Sequence, residues 1–177
     1  DLDHLIPYFD HFKKVCVIGS GFVALQAAWA ARYRGLDVVV LELMDRIMPS
    51  VLDEEGARLL TEKIREKGVD LRTGVSTQRF EKLDDGTFKI HLAGGEEIKA
   101  DFVIVGTGVR SNIGFLKDTD IQTERGILVD SHMRTNIPNI YAAGDVAAGP
   151  TTFGDEHLIH ALWPTACEMG KTAGKNM

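Results

Sequence analysis

Residues 15–42 read VCVIGSGFVALQAAWAARYRGLDVVVLE, and their order decides the fold. An apolar run, Val15 to Ile18, leads into Gly19-x-Gly21-x-x-Ala24. An alanine-rich amphipathic stretch follows, then Gly35, then a second apolar run closed by an acid, Glu42. This is the strand–turn–helix–strand pattern of a dinucleotide-binding site, and each part has a mechanical role. Gly19 permits the tight turn after the strand. Gly21 has no side chain to hold a pyrophosphate off the backbone. Ala24 lets the helix lie close to the sheet. The free N–H groups of the helix start face an anion with the favourable end of the helix dipole. Glu42 follows Gly19 by 23 residues, close to the spacing of an acid that bonds a ribose diol. A plain βαβ turn without a ligand does not explain why an acid ends an otherwise apolar strand.

Outward from this stretch, the pattern predicts a strand at 14–18, a helix at 22–34 stopped by Gly35, and a strand at 37–42. The loop LMDRIMPS leads to a helix starting near Asp53, with Asp53, Glu54 and Glu55 favourable for its dipole, and Gly68 ends it. A third strand is expected at 69–73. Residues 76–99 then alternate polar and apolar, with Asp84-Asp85-Gly86 and Gly94-Gly95 as turns, which reads as an antiparallel meander in place of a further helix. DFVIV at 101–105 returns as a buried strand. Beyond 111 the composition shifts. Short strands are expected at 127–129 and 140–143, and a last helix from about Pro164. Before all of these, residues 1–12 form an entry segment with Leu5, Ile6, Phe9 and Phe12 at helical spacing. The fold class is α/β: a Rossmann-like NAD(P)-binding domain, residues 1–111, with a parallel sheet plus the meander, then a partial second domain, 112–177.

Composition excludes several classes. The chain has 177 residues and a net charge of −6 with no long run of one sign, which gives nucleic-acid binding no electrostatic support. No apolar run nears the ~20 residues that span a bilayer, and DLDHLIPYFDHF lacks the basic start and apolar core of a secretory signal. The two cysteines, Cys16 and Cys167, form neither a C-x-x-C pair nor a Cys/His cluster. A cytoplasmic setting is therefore the expectation. His157 and His160 are three apart without a third ligand, so no metal site is assigned. Ser20, Ser76 and Ser111 show no catalytic order, and no residue is given a catalytic role.

Four ordered segments carry a family resemblance: VIGSGFVALQAA at 17–28, VVVLELMDRIMPSVLDEE at 38–55, VIVGTGVRSN at 103–112 and GILVDSHMRTNIPNIYAAGDVA at 126–147. With them the chain resembles the FAD-dependent pyridine nucleotide–disulfide oxidoreductases, in which an NAD(P)H domain is inserted within an FAD domain. The ending ALWPTACEMGKTAGKNM is closest in character to the NADH oxidase and rubredoxin or nitrite reductase-like branch. The resemblance implies that Gly19, Gly21 and the amides of Phe22 and Val23 hold the pyrophosphate, and that Glu42 bonds the adenosine ribose. A carboxylate there repels a 2′-phosphate, favouring NADH over NADPH, with Arg46 nearby as the one basic residue against that choice. Gly108 and Val109 would lie near the nicotinamide. Asp145, after Gly144, would bond the FAD ribityl chain; without its surroundings it reads as a helix-capping aspartate. Leu162 to Ala166 would begin the flavin-contacting helix, with Trp163 against a ring or, equally, in the core or an interface.

The chain departs from the family at Gln26, where many members carry Glu near the nicotinamide–flavin contact. A glutamine still bonds a carboxamide but does not titrate. The first FAD glycine motif, the redox-active cysteines and the dimer domain are absent from the sequence. These departures lead to the expectation of a central portion of a longer flavoprotein that passes hydride from NADH to FAD and on to a second acceptor, and that cannot hold FAD tightly alone. An electron-acceptor protein and a second copy of the chain are the macromolecular partners compatible with this reading. The alternative is a non-catalytic dinucleotide-binding sensor or assembly module, which has no need of the 126–147 segment.

Overall fold

The computed structural model describes residues 11–152, 154 and 156–177. The helical spacing of Leu5, Ile6 and Phe9 lies outside these residues. The chain divides into two compact units, the first ending at Gly108 and the second comprising Val109–Met177.

The first unit is built on a parallel sheet of β1 (Lys14–Ile18), β2 (Asp37–Leu41), β3 (Val69–Arg72) and β7 (Phe102–Val105), in the order β3-β2-β1-β7. Side chains alternate across a strand, and both faces here are apolar, as a parallel sheet covered on both sides requires. Val15, Val17, Val38 and Val40 face one way and pack against Ala24, Ala28 and Ala31 of α1 (Phe22–Tyr33) and Ala57 of α2 (Glu54–Glu66). The buried face of α1 is alanine throughout, which brings its axis close to the sheet. Asp53 caps α2 by accepting from the Gly56 N–H at 2.8 Å. Asp101 accepts from the amides of Lys13 and Lys14, at 2.6 and 2.7 Å, and so fixes the start of β1 beside β7.

Cys16, Val39 and Leu41 point to the opposite face. There they meet Ile90, Leu92, Ile98 and Ala100 of an antiparallel meander, β4 (Thr77–Lys82), β5 (Phe88–Leu92) and β6 (Glu97–Ala100). The unit is thus three layers: helices, parallel sheet and meander. The mixed α/β class is that expected from the sequence, and among the described residues no helix is long and apolar enough to cross a membrane.

The second unit has a small sheet, β10 (His157–Leu158), β9 (Ala147–Pro150) and β8 (Ile127–Leu128), and a helix, α3 (Trp163–Asn176). Ile127, Val129, Met133, Ala142, Ala147 and Ala173 form its core. The strand expected at 140–143 is absent. That segment contributes only an isolated bridge, Arg134 to Tyr141. Met133 and Asn139 adopt positive φ values of 64°, and the Thr135 N–H donates to the Ile140 carbonyl at 3.0 Å, so the chain folds back before a strand can extend. The pairing strand is instead Ala147–Pro150, whose small residues carry no alternation of polar and apolar positions.

Candidate functional site

The carboxyl ends of β1, β2 and β7 open onto a cavity of about 500 Å³ in the first unit. Parallel sheets bind ligands at this end. One wall is the β1–α1 turn, Gly19 to Gly21; a second is Glu42 with Leu43, Met44, Pro49 and Ser50. The remaining walls are Val75 to Thr77 and Gly106 to Gly108. Backbone bonds lock these segments together. The Gly19 N–H donates to the Leu41 carbonyl at 2.8 Å, the Gly106 N–H to Ile18 at 2.8 Å, and the Val75 N–H to Glu42 at 2.9 Å.

Gly19 has φ 98°, and a Cβ placed on it would stand 2.5 Å from the Gly106 carbonyl oxygen. A Cβ on Gly106 would in turn meet Ala24 Cβ at 2.8 Å, so the turn, the helix and β7 approach as closely as their backbones allow. Gly21 is different: a Cβ there would meet nothing within 4 Å. It occupies the N-cap of α1, which has no capping side chain and no acid in its first turn. The first amides of the helix therefore lack side-chain partners and suit an anion.

Glu42 is buried, 8 % exposed, at the cavity wall. Its Oε2 accepts from Ser20 Oγ at 2.5 Å and its Oε1 from the Met44 N–H at 2.8 Å. A carboxylate has about four acceptor sites. Glu42 can thus hold these two donors and still accept from a diol. A pyrophosphate on the glycine turn and a ribose diol on the acid fit the residues present.

Of the residues named from sequence, Gly19, Gly21, Glu42 and Gly108 line this cavity. Phe22, Val23 and Gln26 do not line it and are exposed in the first two turns of α1, and Val109 is 80 % exposed. Arg46 does not line it. It lines a separate cleft with Arg58 and Arg65 of α2, and its Nη2 donates to the Pro49 carbonyl at 3.5 Å. Sequence reasoning missed Ser20, Met44, Pro49 and Thr77. Ser20, Met44 and Pro49 lie in loops, which carry no periodic signal, and Thr77 is the first residue of β4. Ser20 alone had a hint, being enclosed by the two glycines.

In the second unit, Gly144 and Asp145 form a 3-10 turn, Gly144–Val146. Gly144 has φ 78°, and its Cβ position is 3.7 Å from Ala166 in the first turns of α3. The Asp145 carboxylate is exposed, while its carbonyl accepts from Ser111 Oγ at 2.7 Å. Pro164 stands in the first turn of α3, which again has no side-chain cap, and Trp163 is 84 % exposed. His157 and His160 are exposed. Among the described residues no group of three or more His, Cys, Asp or Glu could hold a metal ion.

A family model described as pyridine nucleotide-disulphide oxidoreductase matches residues 2–170. The chain is 36 % identical over 180 residues to the assimilatory nitrate reductase electron transfer subunit of Bacillus subtilis, covering 100 % of this chain and 22 % of that protein. It is 37 % identical over 165 residues to the ferredoxin–NAD(+) reductase component of the p-cumate 2,3-dioxygenase system of Pseudomonas putida, covering 93 % and 40 %. It matches the water-forming NADH oxidase of Lactobacillus brevis bound to NADH with a TM-score of 0.90 at 29 % identity, over 98 % of this chain and 38 % of that one. An engineered NADPH oxidase made from that enzyme, bound to NADPH, matches with a TM-score of 0.89 at 28 % identity, with the same coverage of 98 % and 38 %. The chain thus spans less than half the length of these relatives.

Proposed function

The chain belongs to the pyridine nucleotide-disulphide oxidoreductase family, and from that premise we propose that it is the NADH-binding part of a flavoprotein oxidoreductase. Hydride passes from NADH to FAD, and electrons go on to a second acceptor. The observation that carries the reading is the buried Glu42 carboxylate sharing one cavity with the Gly19–Gly21 turn. In this reading Gly19, Gly21 and the amides of Phe22 and Val23 hold the pyrophosphate. Glu42 bonds the adenosine ribose, and Gly108 and Val109 stand by the nicotinamide with Gln26. Gly144, Asp145 and Trp163 serve FAD. The protein orients the cofactors and excludes water, and the cofactors carry the redox chemistry.

The preference for NADH rests on charge. A 2′-phosphate beside Glu42 meets a fixed like charge. The engineered oxidase supports this. Its conversion to NADPH use replaces an aspartate by alanine and introduces arginine at an alanine and a proline. That aspartate stands as far before that proline as Glu42 stands before Pro49 here, and the alanine changed to arginine directly follows it, as Leu43 follows Glu42. The second acceptor in this reading is a small redox protein of the ferredoxin kind, as named for the Pseudomonas relative.

The test is a titration of the chain with NADH and NADPH at fixed salt. NADH is expected to bind at least ten-fold tighter. In the triple variant Glu42→Ala, Leu43→Arg, Pro49→Arg the order is expected to reverse. Equal affinity in the parent chain would sink the Glu42 argument.

A further inference from the structure

We propose that Ser20 is a positioning residue for coenzyme choice, acting through Glu42; the inference rests on the NADH reading above. Ser20 is 1 % exposed and Glu42 8 %. The Ser20 hydroxyl donates to Glu42 Oε2 at 2.5 Å and accepts from the Met48 N–H at 3.3 Å. Met48 is held at φ 46°, a left-handed conformation that a methionine rarely adopts. One hydroxyl therefore ties together the glycine turn, the acid, and the far end of the loop that follows the acid.

The consequence is mechanical. Glu42 has two anchors: the Met44 amide on its own loop, and Ser20 on the β1–α1 turn. With both, the carboxylate is oriented before a ligand arrives, so binding does not have to order it. The same anchoring prevents the charge from swinging away from a 2′-phosphate. Without the hydroxyl, only the local anchor is left. The carboxylate then gains freedom to leave the ribose, and the Met48 amide loses its partner. NADH, which needs the carboxylate in place, loses more than NADPH, which is relieved by its departure.

The experiment compares Ser20→Ala, Ser20→Gly, Glu42→Ala and the Ser20→Ala/Glu42→Ala double variant of the full chain. Each is titrated with NADH and NADPH, and thermal unfolding is recorded by circular dichroism. Ser20→Ala and Ser20→Gly are expected to weaken NADH about ten-fold, the scale of a hydrogen bond to a charged group, and NADPH less than two-fold. In the Glu42→Ala background, removing the hydroxyl is expected to leave the NADH-to-NADPH ratio unchanged. A merely structural serine would lower the unfolding temperature and weaken both coenzymes together, and that result overturns the proposal. So does a ratio that falls equally with or without Glu42. If the parent chain shows no NADH preference, the underlying reading fails and this inference with it. If the preference is lost in Glu42→Ala but kept in both Ser20 variants, the inference alone fails.

Discussion

At position 19 a single methyl group decides whether the fold closes. It would stand 2.5 Å from the Gly106 carbonyl oxygen, on a backbone with φ 98°. Neither neighbour is a flexible side chain, so the strain cannot be relieved locally. Gly19→Ala is expected to destabilise the chain by about 2 kcal/mol or more, read as a lower midpoint in urea. An unchanged midpoint would mean the turn can shift. Cys16 poses the opposite case. It is fully buried in β1, and burial pushes its thiol up to about 12, with Lys14 and Arg72 pulling weakly the other way. Iodoacetamide at pH 8 is expected to modify the half-buried Cys167 and spare Cys16 in the native chain. Labelling of Cys16 at the same rate, read by mass spectrometry, would contradict this. The glycine motif and Glu42 were legible because turn and strand end demand those residue types. Ser20 was not, since the motif accepts any residue between its glycines and only the folded loop brings Met48 and Glu42 to it.

Elements were legible where a periodic pattern reached a chemical stop. β1 and α1 ended where Gly19 and Gly35 punctuate the sequence, and the meander followed its alternation. β9 escaped because Ala-Ala-Gly-Pro has no alternation; its residues matter for being small enough to pack. The meander also carries a titrating lock. In the β4–β5 turn Asp85 accepts from the Thr87 amide at 3.0 Å and from Lys99 Nζ at 2.8 Å. The Lys99 bond, then those of Thr87, hold its carboxyl well below the usual carboxylate range. A depressed folded value means that the contribution is complete above the ordinary value of 3.8 and is lost as pH falls through the folded one. Amide exchange at Thr87 is expected to stay protected at pH 5 and to loosen only well below 3.8. Asp85→Asn should remove that acid-side dependence. A turn that opens already between pH 5 and 4 would show the Lys99 bond to be unimportant.

On the scale of the molecule, the described residues of each compact unit enclose apolar cores of their own: two clusters in the first, around the parallel sheet, and one in the second, around β8, β9 and α3. The sequence placed a boundary after residue 111 on a change of composition; the compact units part between Gly108 and Val109. The chain offers a reporter in each, since Trp29 lies on α1 and Trp163 opens α3. Trp29 is 49 % exposed and Trp163 84 %, so each tolerates phenylalanine, and the two single-tryptophan variants can be unfolded in urea separately. A ligand that binds only the native first unit raises its stability by about 2.7 kcal/mol at a hundred times Kd. With an m-value of about 1–3 kcal/mol per molar, that moves the midpoint by roughly 1–3 M. NADH is expected to move the transition seen by Trp29 and leave the one seen by Trp163 in place. If both move together, the units unfold as one cooperative body, and the dinucleotide site stabilises residues that never touch the ligand. If only the Trp163 transition moves, the nucleotide site has been assigned to the wrong unit.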